Sequence, residues 1–507
     1  MTLPALDRVR AGHSPAEATR HQIHGRSASG SKSRHPWPVP PADGQKSGAS
    51  KVAQPVSPTR ISIAHSMLAR ASLRAFTWST PRHALIKSRA CRAYSSSDSS
   101  IPPWRSSNVL DDWVQREARP ISLRQLTFFG RTLTGDRLIN SANYVRLELP
   151  TRIAHRLRNM QTLPYAALTN QHISHVYELY WKAFEMFRKV PEVRTLADND
   201  RFCEVLRTTL KEHLSVIPRL AMGILEIQDH VSADECDRFM TTLLRSRISR
   251  RVIAEQHLAL TETFHSPWHF DGKKSGLAPD DEFVGEIFLK CNAREIVEKC
   301  GKRASELISS AYGEKVKIPK IVLQGHLETS FPYMPSHLEY IIGELLRNSI
   351  QASVERWSAK HDPPPIEVLI CEAAQNVIIR VSDQGGGVDR EILPYLWSFA
   401  KGPRRSTRLE NLGQVPRLAA TMQELRLPPS DPDTAGNSEA SLASLSGRPP
   451  QLRLGLGLPI SRIYAEYWAG SLELHSLEGY GCDAFLQISR LGNKNEVLST
   501  RAAMDAV

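Results

Sequence analysis

The chain has 507 residues, of which 41% are hydrophobic and 23% are charged, and this length exceeds that of one simple core. Its net charge of +12 lies wholly in residues 1–94, which hold 15 Lys and Arg against three acids, because the other 413 residues carry 50 of each sign. The neutral body argues against a nucleic-acid-binding surface, and the lack of an apolar run of about 18 residues argues against a membrane span.

The first 94 residues have the composition of a targeting segment. Residues 1–60 are rich in Ser, Pro, Arg and His and are predicted to be disordered. From Met67 to Tyr94, six basic residues and no acid accompany an amphipathic pattern. Such a stretch is typical of a mitochondrial transit peptide, with a basic disordered tail as the alternative. We expect residues 1–94 to be a transit peptide and leader, with Met67 as an alternative start to Met1.

Helical spacing dominates the chain from about Ser107 to Leu260. The helical segments predicted from apolar residues three to four apart are 149–163, 171–187 after a capping Asn170, 200–217 and 234–260. Four such stretches with short polar joints predict a four-helix bundle, which we place at residues 107–275. A polar connecting loop is expected over 261–282.

Strand signals appear beyond residue 283 and alternate with helical ones. The predicted strands are 366–370, 377–382, 472–475 and 484–488, and the predicted helices are 291–310, 337–357 and 459–468. The sequence therefore predicts an α+β protein in which the four-helix bundle is followed by an α/β sandwich domain over residues 283–492.

The predicted helix at 337–357 carries Glu344 and Asn348, which lie four residues apart and so share one face. A carboxylate can accept a proton from a hydroxyl group, and an amide oxygen can ligate Mg²⁺ without adding charge. The pair is a weak signal by itself, because similar pairs line many helix surfaces.

A second motif is Asp383, which follows a predicted strand and precedes the glycines from Gly385 to Gly387. Glycines permit a sharp backbone path and the close approach of a ligand. The carboxylate of Asp383 can accept a hydrogen bond from an exocyclic amine such as that of adenine. An ordinary turn after a strand is the alternative.

The third motif is a glycine-rich run, Gly455-Leu456-Gly457-Leu458, that enters a predicted helix at Pro459. A loop of this kind at a helix N-terminus is a ready phosphate site. It lacks the Gly-Lys-Ser/Thr ending of a Walker loop.

The order of these motifs resembles the GHKL nucleotide-binding fold, and their neighbours resemble the mitochondrial pyruvate dehydrogenase and branched-chain 2-oxoacid dehydrogenase kinases. The segments that carry this resemblance are Asn143–Arg152, Arg247–Arg251, Gln256–Leu260, Met334–Asn348, Leu458–Gly470 and Glu478–Ala484. The resemblance covers roughly residues 107–490. It implies a mitochondrial matrix kinase that uses ATP and Mg²⁺ to phosphorylate a serine of an E1 alpha subunit. It also implies docking to the lipoyl domain of the E2 core and a homodimer.

The resemblance also implies roles for the motif residues. Glu344 corresponds to the general base that activates the serine hydroxyl, Asn348 to the Mg²⁺ ligand and Asp383 to the carboxylate that binds adenine. The glycines Gly385 and Gly387 correspond to the hinge of the nucleotide lid. The phosphate loop corresponds to Gly455, Leu456, Gly457 and Leu458.

Several positions near the nucleotide depart from the family pattern. Gln351 stands where an arginine is usual, Arg453 where a glycine begins the phosphate loop, and Cys482 where a threonine lies near the adenine. The lid around Lys401 lacks the usual Ser/Thr pair, and we predict a phosphate contact for this lysine. Residues 403–452 form a long insertion that is predicted to be largely disordered.

Two other functions stay open on the sequence alone. A non-catalytic ATP-binding scaffold on the E2 core fits the altered lid, although a scaffold would not need both Glu344 and Asn348. A histidine kinase would need an acceptor histidine on an upstream helix, whereas His337 lies on the motif helix itself. Tyr340 favours the branched-chain type over the pyruvate type, but the sequence does not decide which complex is the substrate.

Overall fold

The computed structural model describes residues 107–498 with gaps at 131–132, 267–282, 314–315, 358–361 and 426–446. The predicted transit peptide and leader at residues 1–94 lie outside the described residues, as does most of the predicted connecting loop at 261–282. Within the described part of the chain, no helix is both long enough and apolar enough to cross a membrane.

The first described part of the chain is predominantly helical. Its helices are α1 (Asn108–Val114), α2 (Leu123–Gly130), α3 (Gly135–Gln161), α4 (Tyr165–Leu168), α5 (Gln171–Arg188), α6 (Leu196–Glu212), α7 (Val216–Ile227) and α8 (Ala233–His265). Helix α3 packs against α5 and α8, and α7 packs against the same two helices. The buried faces of these helices share one continuous apolar core with the sheet-containing part of the chain.

The predicted start of α5 after a capping residue is confirmed. Asn170 accepts hydrogen bonds from the backbone N–H groups of His172 at 3.0 Å and Ile173 at 3.1 Å, as predicted for the start of α5. The predicted start of α3 is wrong, because the helix begins at Gly135 and runs through Pro150. Pro150 therefore lies in the interior of the helix, where its missing backbone N–H removes one hydrogen bond, and not in the first turn where proline is more usual.

The predicted helix at 200–217 is in fact two helices. A 3-10 turn at His213–Ser215 separates α6 from α7, and α7 contains Pro218 in its first turn. The apolar spacing continues across this break, and apolar spacing alone does not mark where one helix stops and another starts.

The second described part contains two sheets. Its elements are β1 (Phe283–Val284), β2 (Ile287–Asn292), α9 (Ala293–Tyr312), β3 (Ile321–Gly325), β4 (Ser330–Tyr333), α10 (Pro335–Trp357), β5 (Ile366–Glu372), β6 (Asn376–Ser382), α11 (Arg405–Gly413), α12 (Gly457–Tyr467), β7 (Ser471–Leu477) and β8 (Gly481–Ser489). The larger sheet has the order β3-β5-β6-β8-β7, in which only the β3–β5 pair is parallel. The smaller sheet has the antiparallel order β1-β2-β4.

Helices α9, α10 and α12 accompany the larger sheet, as the sequence predicted. Helix α10 packs against α9, α12 and β6, and α12 packs against β7 and β8. The strands β5 to β8 were predicted from their alternating apolar residues, whereas the sequence analysis missed β1 to β4. Those four strands have two to six residues each, against seven to nine for β5 to β8, so their alternation signal is weaker.

The prediction that residues 403–452 are disordered is wrong for part of this insertion. Arg405–Gly413 forms α11, which packs against α7, and a 3-10 turn follows at Met422–Leu425. Contacts with the helical part stabilise α11, and a sequence rich in polar residues does not reveal such contacts. Residues 426–446 lie outside the described residues.

Candidate active site

Helix α10 brings the first motif to a cavity of about 600 Å³. Glu344, Asn348 and Gln351 lie on the face of α10 that lines this cavity. Apolar residues of the same helix are at most 3% exposed and belong to the core: Ile341, Ile342 and Leu345. Helix α10 thus contributes polar side chains to the cavity and apolar side chains to the core.

The glycine-rich run forms the wall opposite α10. Gly455, Gly457 and Leu458 line the cavity, and α12 starts at Gly457 so that its N-terminus faces the cavity. A Cβ atom added to Gly457 would overlap the carboxylate of Glu344, so only glycine allows this close approach. An eleven-residue helix that starts here provides backbone N–H groups and a positive dipole end for phosphate.

Glu344 is fully buried and is held by two arginines. Arg448 donates from Nη1 to Oε1 at 3.1 Å and from Nη2 to Oε2 at 3.1 Å, and Arg347 donates from Nη2 to Oε2 at 3.0 Å. Burial alone would raise the pKa of Glu344, but the charges of Arg347 and Arg448 outweigh it and hold that pKa below its usual range. The carboxylate is therefore ionised, which a proton acceptor requires.

Basic side chains supply the other walls of the cavity. Lys401 lines it, and its Nζ lies 3.4 Å from Asp234 Oδ1 on α8. Arg408 on α11 is buried and donates to the carbonyl groups of Phe399 at 2.7 Å and Leu454 at 3.3 Å. Arg408 thereby ties α11 to the glycine-rich run. A cavity with several cations and few anions suits a polyphosphate ligand.

Asn348 lies at the centre of the cavity-facing surface of α10 and is half-buried. In the described part of the chain, no side chain or backbone group forms a hydrogen bond with its amide group. A half-buried amide oxygen directed to such a cavity fits the ligand role predicted for Mg²⁺, which commonly takes only one or two protein ligands beside phosphate oxygens and water. The described residues include no cluster of three His, Cys, Asp or Glu side chains that would hold a metal alone.

The second motif gathers around Asp383 at the end of β6. Asp383 is buried and accepts hydrogen bonds from Ser349 Oγ at 2.7 Å, from the Gly385 N–H at 2.9 Å and from the Cys482 N–H at 3.3 Å. Burial raises the pKa of Asp383, and these hydrogen bonds oppose the increase. Because Ser349 follows Asn348 on α10, the helix links this cluster to the cavity.

The glycines after Asp383 allow the chain to pass close to β7. Gly387 has φ of +75°, and a Cβ atom there would overlap the Leu477 carbonyl group. The Cys482 thiol donates to Ser476 Oγ at 3.6 Å, and burial raises the pKa of this thiol. Asp383, Gly385, Gly387 and Cys482 thus form one cluster, but none of them lines the 600 Å³ cavity.

The structure separates the predicted site residues into two neighbouring groups. Those that line the cavity are Glu344, Asn348, Gln351, Lys401, Gly455, Gly457 and Leu458. Leu456, which belongs to the same glycine-rich run, is fully buried and does not line the cavity. Sequence reasoning missed Arg347, Arg408 and Arg448. Arg347 could have been found from the sequence, because it lies one turn from Glu344 on the predicted helix. No sequence signal located Arg408 or Arg448.

His337 lies on α10, as predicted, but it is not positioned as an acceptor for phosphate. It is buried, and its ring lies 4.7 Å from the ring of Tyr464. Burial lowers the pKa of His337 to about 3. A neutral histidine enclosed by tyrosines has a structural role, which disfavours the histidine-kinase alternative.

The fold and the two groups of residues define an ATP-binding domain. Residues 334–491 match the sequence profile of the histidine kinase-, DNA gyrase B- and HSP90-like ATPases. Helix α10, strand β6 with the following Asp383 and the glycine-rich start of α12 all lie within this match. ATP is therefore the nucleotide that the protein uses.

The helical part and the whole chain identify the family. Residues 120–288 match the profile of the mitochondrial branched-chain alpha-ketoacid dehydrogenase kinase. The mitochondrial pyruvate dehydrogenase (acetyl-transferring) kinase 2 of Saccharomyces cerevisiae is 32% identical over 445 residues, which cover 79% of this chain and 88% of that protein. The Arabidopsis thaliana mitochondrial pyruvate dehydrogenase kinase is 30% identical, with 76% and 94% covered, and human isozyme 1 is 26% identical, with 78% and 84% covered. The chain belongs to the family of mitochondrial 2-oxoacid dehydrogenase kinases.

Proposed function

We propose that this protein transfers the terminal phosphoryl group of Mg-ATP to a serine of the E1 alpha subunit of the pyruvate dehydrogenase complex and thereby inactivates that complex. The observation that carries the proposal is the placement of Glu344 and Asn348 one turn apart beside a helix N-terminus and a cationic cavity. The names of the yeast, plant and human relatives favour pyruvate dehydrogenase over the branched-chain complex.

The proposed chemistry uses few groups of the protein. Glu344 accepts the proton of the serine hydroxyl while the serine oxygen bonds to the terminal phosphorus. The bond between that phosphorus and the bridging oxygen breaks, and ADP leaves with the bond electrons. Such a transfer depends mainly on positioning and on neutralising phosphate charge. The N-terminus of α12 and Lys401 supply positive potential, and Mg²⁺ held by Asn348 would supply more.

The nucleotide base is proposed to bind near Asp383. The carboxylate of Asp383 already accepts from Ser349, Gly385 and Cys482, yet a carboxylate has about four lone-pair sites and can accept one further hydrogen bond. An exocyclic amine of adenine is a donor of the right kind. Gly385 and Gly387 then let the chain follow the base closely, and Cys482 lies beside it.

The helical part is proposed to be a four-helix bundle that docks the lipoyl domain of E2. The surface proposed for docking is a groove of about 1100 Å³ between α2, β2 and the segment after β8. Phe128 and Leu491 line it and are 67% and 52% exposed, so the groove offers apolar surface to an apolar lipoyl arm. The homodimer implied by the family resemblance remains a prediction, as does the cleaved transit peptide of a matrix protein.

A phosphotransfer assay tests the proposed function. The full chain is incubated with Mg-ATP and, separately, with the pyruvate and branched-chain dehydrogenase complexes. Label on an E1 alpha serine of the pyruvate complex, lost in Glu344→Gln, is the expected result. Label only on the branched-chain complex would correct the substrate. ATP binding with no label on either complex would support the scaffold alternative.

A further inference from the structure

Arg448 reaches Glu344 from a distant part of the chain. The two residues are 104 positions apart, and Arg448 lies in an irregular segment just before the glycine-rich run, with a side chain that is 4% exposed. Its two Nη groups contact both carboxylate oxygens of Glu344 at 3.1 Å. This two-point geometry is the strongest arrangement between an arginine and a carboxylate.

The contact conflicts with the role of Glu344 as a base. A base must direct a free lone pair at the hydroxyl proton, at hydrogen-bond distance. Arg448 occupies one lone pair on each oxygen, and Arg347 occupies a second on Oε2. In this arrangement one lone pair remains on Oε1, but two guanidinium groups stabilise the ionised carboxylate and weaken it as a base, so proton transfer is favoured once one arginine has left.

Arg448 is the arginine that can leave. Arg347 lies three residues after Glu344 on α10, so the helix fixes its position relative to the carboxylate. No shared helix fixes Arg448 relative to the carboxylate, because Arg448 belongs to neither a helix nor a strand. Two guanidinium groups on one carboxylate also leave one surplus positive charge, and this surplus lies inside the cavity that Asn348 and Gly457 line.

We infer that Arg448 is a positioning residue that exchanges partners when ATP binds. Without ATP it holds the carboxylate of Glu344; with ATP it transfers its guanidinium group to the terminal phosphate and frees Glu344 for the acceptor hydroxyl. ADP has no terminal phosphate and leaves Arg448 on Glu344. Glu344 is thus a stronger base when the phosphoryl donor is present. This inference rests on the proposed function, because it assumes that ATP binds beside Glu344.

Nucleotide affinities separate this role from a structural one. Isothermal titration of the full chain measures the Kd values of ATP and ADP for the wild type, Arg448→Gln, Arg448→Lys and Arg417→Met. Glutamine keeps a donor for Glu344 but lacks the charge. We expect Arg448→Gln to reduce the preference for ATP over ADP by roughly tenfold. This effect is at the low end for the loss of one charge-assisted contact, because the variant does not have to break the arginine contact with Glu344 when ATP binds. The ADP affinity should stay within about twofold, since that contact is not exchanged for ADP.

The two other variants act as rescue and control. Arg448→Lys keeps a cation and should retain part of the ATP preference, and it decides the question if Arg448→Gln does not fold. Arg417 is an exposed arginine of the same insertion, so Arg417→Met should bind both nucleotides as the wild type does.

Several results would overturn the inference. Equal weakening of ATP and ADP in Arg448→Gln would make Arg448 a structural residue, and unchanged ATP preference would mean that it stays on Glu344. A wild type that prefers ATP but labels neither dehydrogenase complex would refute the proposed function, while the comparison of ATP with ADP would still decide the role of Arg448. A wild type that binds neither nucleotide would refute both.

Discussion

Arg247 of α8 holds Glu424 through two hydrogen bonds, from Nη1 to Oε1 at 3.0 Å and from Nη2 to Oε2 at 2.6 Å, although the residues are 177 positions apart. Both side chains are buried, and Arg251 adds a second contact to Glu424, with 3.5 Å between Nε and Oε1. Helix α8 is thereby fixed to the segment that follows α11. The ion pair thereby couples the helical part to the insertion that also contains α11.

Replacing Glu424 should destabilise the fold. Glu424→Gln leaves Arg247 buried without its carboxylate, while Arg251 keeps only the carboxylate of Glu255, and the free energy of unfolding should fall by about 3–5 kcal/mol. Burial alone would raise the pKa of Glu424, but Arg247 and Arg251 outweigh it and lower that pKa to about 2 from 4.5. A depressed carboxyl pKa stabilises the fold above pH 4.5, and this contribution is lost as the pH falls toward 2.

Urea unfolding of the wild type and Glu424→Gln at several pH values measures this effect. The difference between the two proteins should be largest at neutral pH and should shrink below pH 4.5, where Glu424 begins to lose the benefit of its ionised form. If the difference in the free energy of unfolding stayed the same from pH 7 down to the lowest pH at which the protein is folded, the lowered pKa of Glu424 would be contradicted.

The Glu344→Gln variant should bind ATP but fail to phosphorylate. The amide cannot accept the serine proton, so the rate of phosphotransfer should fall by about 100-fold or more. Glu339→Gln is a matched control, because Glu339 lies on the same helix and pairs with Lys299 outside the cavity. The rates of phosphotransfer from Mg-ATP to E1 should then fall in Glu344→Gln and stay at the wild-type value in Glu339→Gln. Equal activity of Glu344→Gln and the wild type would exclude Glu344 as the base.

Gly457→Ala tests the close approach of the glycine-rich run to α10. The added methyl group would overlap the carboxylate of Glu344, so the loop or the carboxylate must shift. A shift of about 1 Å at a reacting group can lower the rate about 100-fold. Gly413→Ala is the control, because Gly413 is exposed at the end of α11 and has no atom near an added Cβ. Wild-type kcat in Gly457→Ala would show that the loop adjusts freely.

The sequence predicted those parts of the fold and site that local patterns determine. The cap at Asn170, the alternation in β6 and the shared face of Glu344 and Asn348 all depend on residues close in the chain. The contact between Arg448 and Glu344 depends on tertiary packing across 104 positions, and composition placed Arg448 in a segment expected to be disordered. Helix α11 was missed for the same reason, since its contacts with α7 stabilise it.

Asp383→Asn should weaken ATP binding and its selectivity over GTP. The neutral amide is a poorer acceptor for an exocyclic amine, and loss of a charge-assisted hydrogen bond corresponds to a roughly 10–100-fold increase in the Kd of ATP. Asp389→Asn is the control, because Asp389 follows on the same loop and is exposed. Titration with ATP and GTP gives both quantities. A variant that keeps the ATP preference of the wild type would place the base elsewhere.

Phe128→Ala should impair docking to E2 while leaving phosphotransfer to free E1 intact. Phe128 is 67% exposed in the apolar groove beside α2, so its loss removes apolar contact area from a lipoyl domain without opening the core. Tyr165→Ala is the matched control, because Tyr165 is 80% exposed on α4 and lies outside the groove. Sedimentation with the E2 core measures binding, and kinase assays with free E1 and with the whole complex measure activity. We expect Phe128→Ala alone to lose binding to the E2 core and activity on the whole complex, whereas equal losses in both variants would indicate a general effect of removing an exposed aromatic side chain.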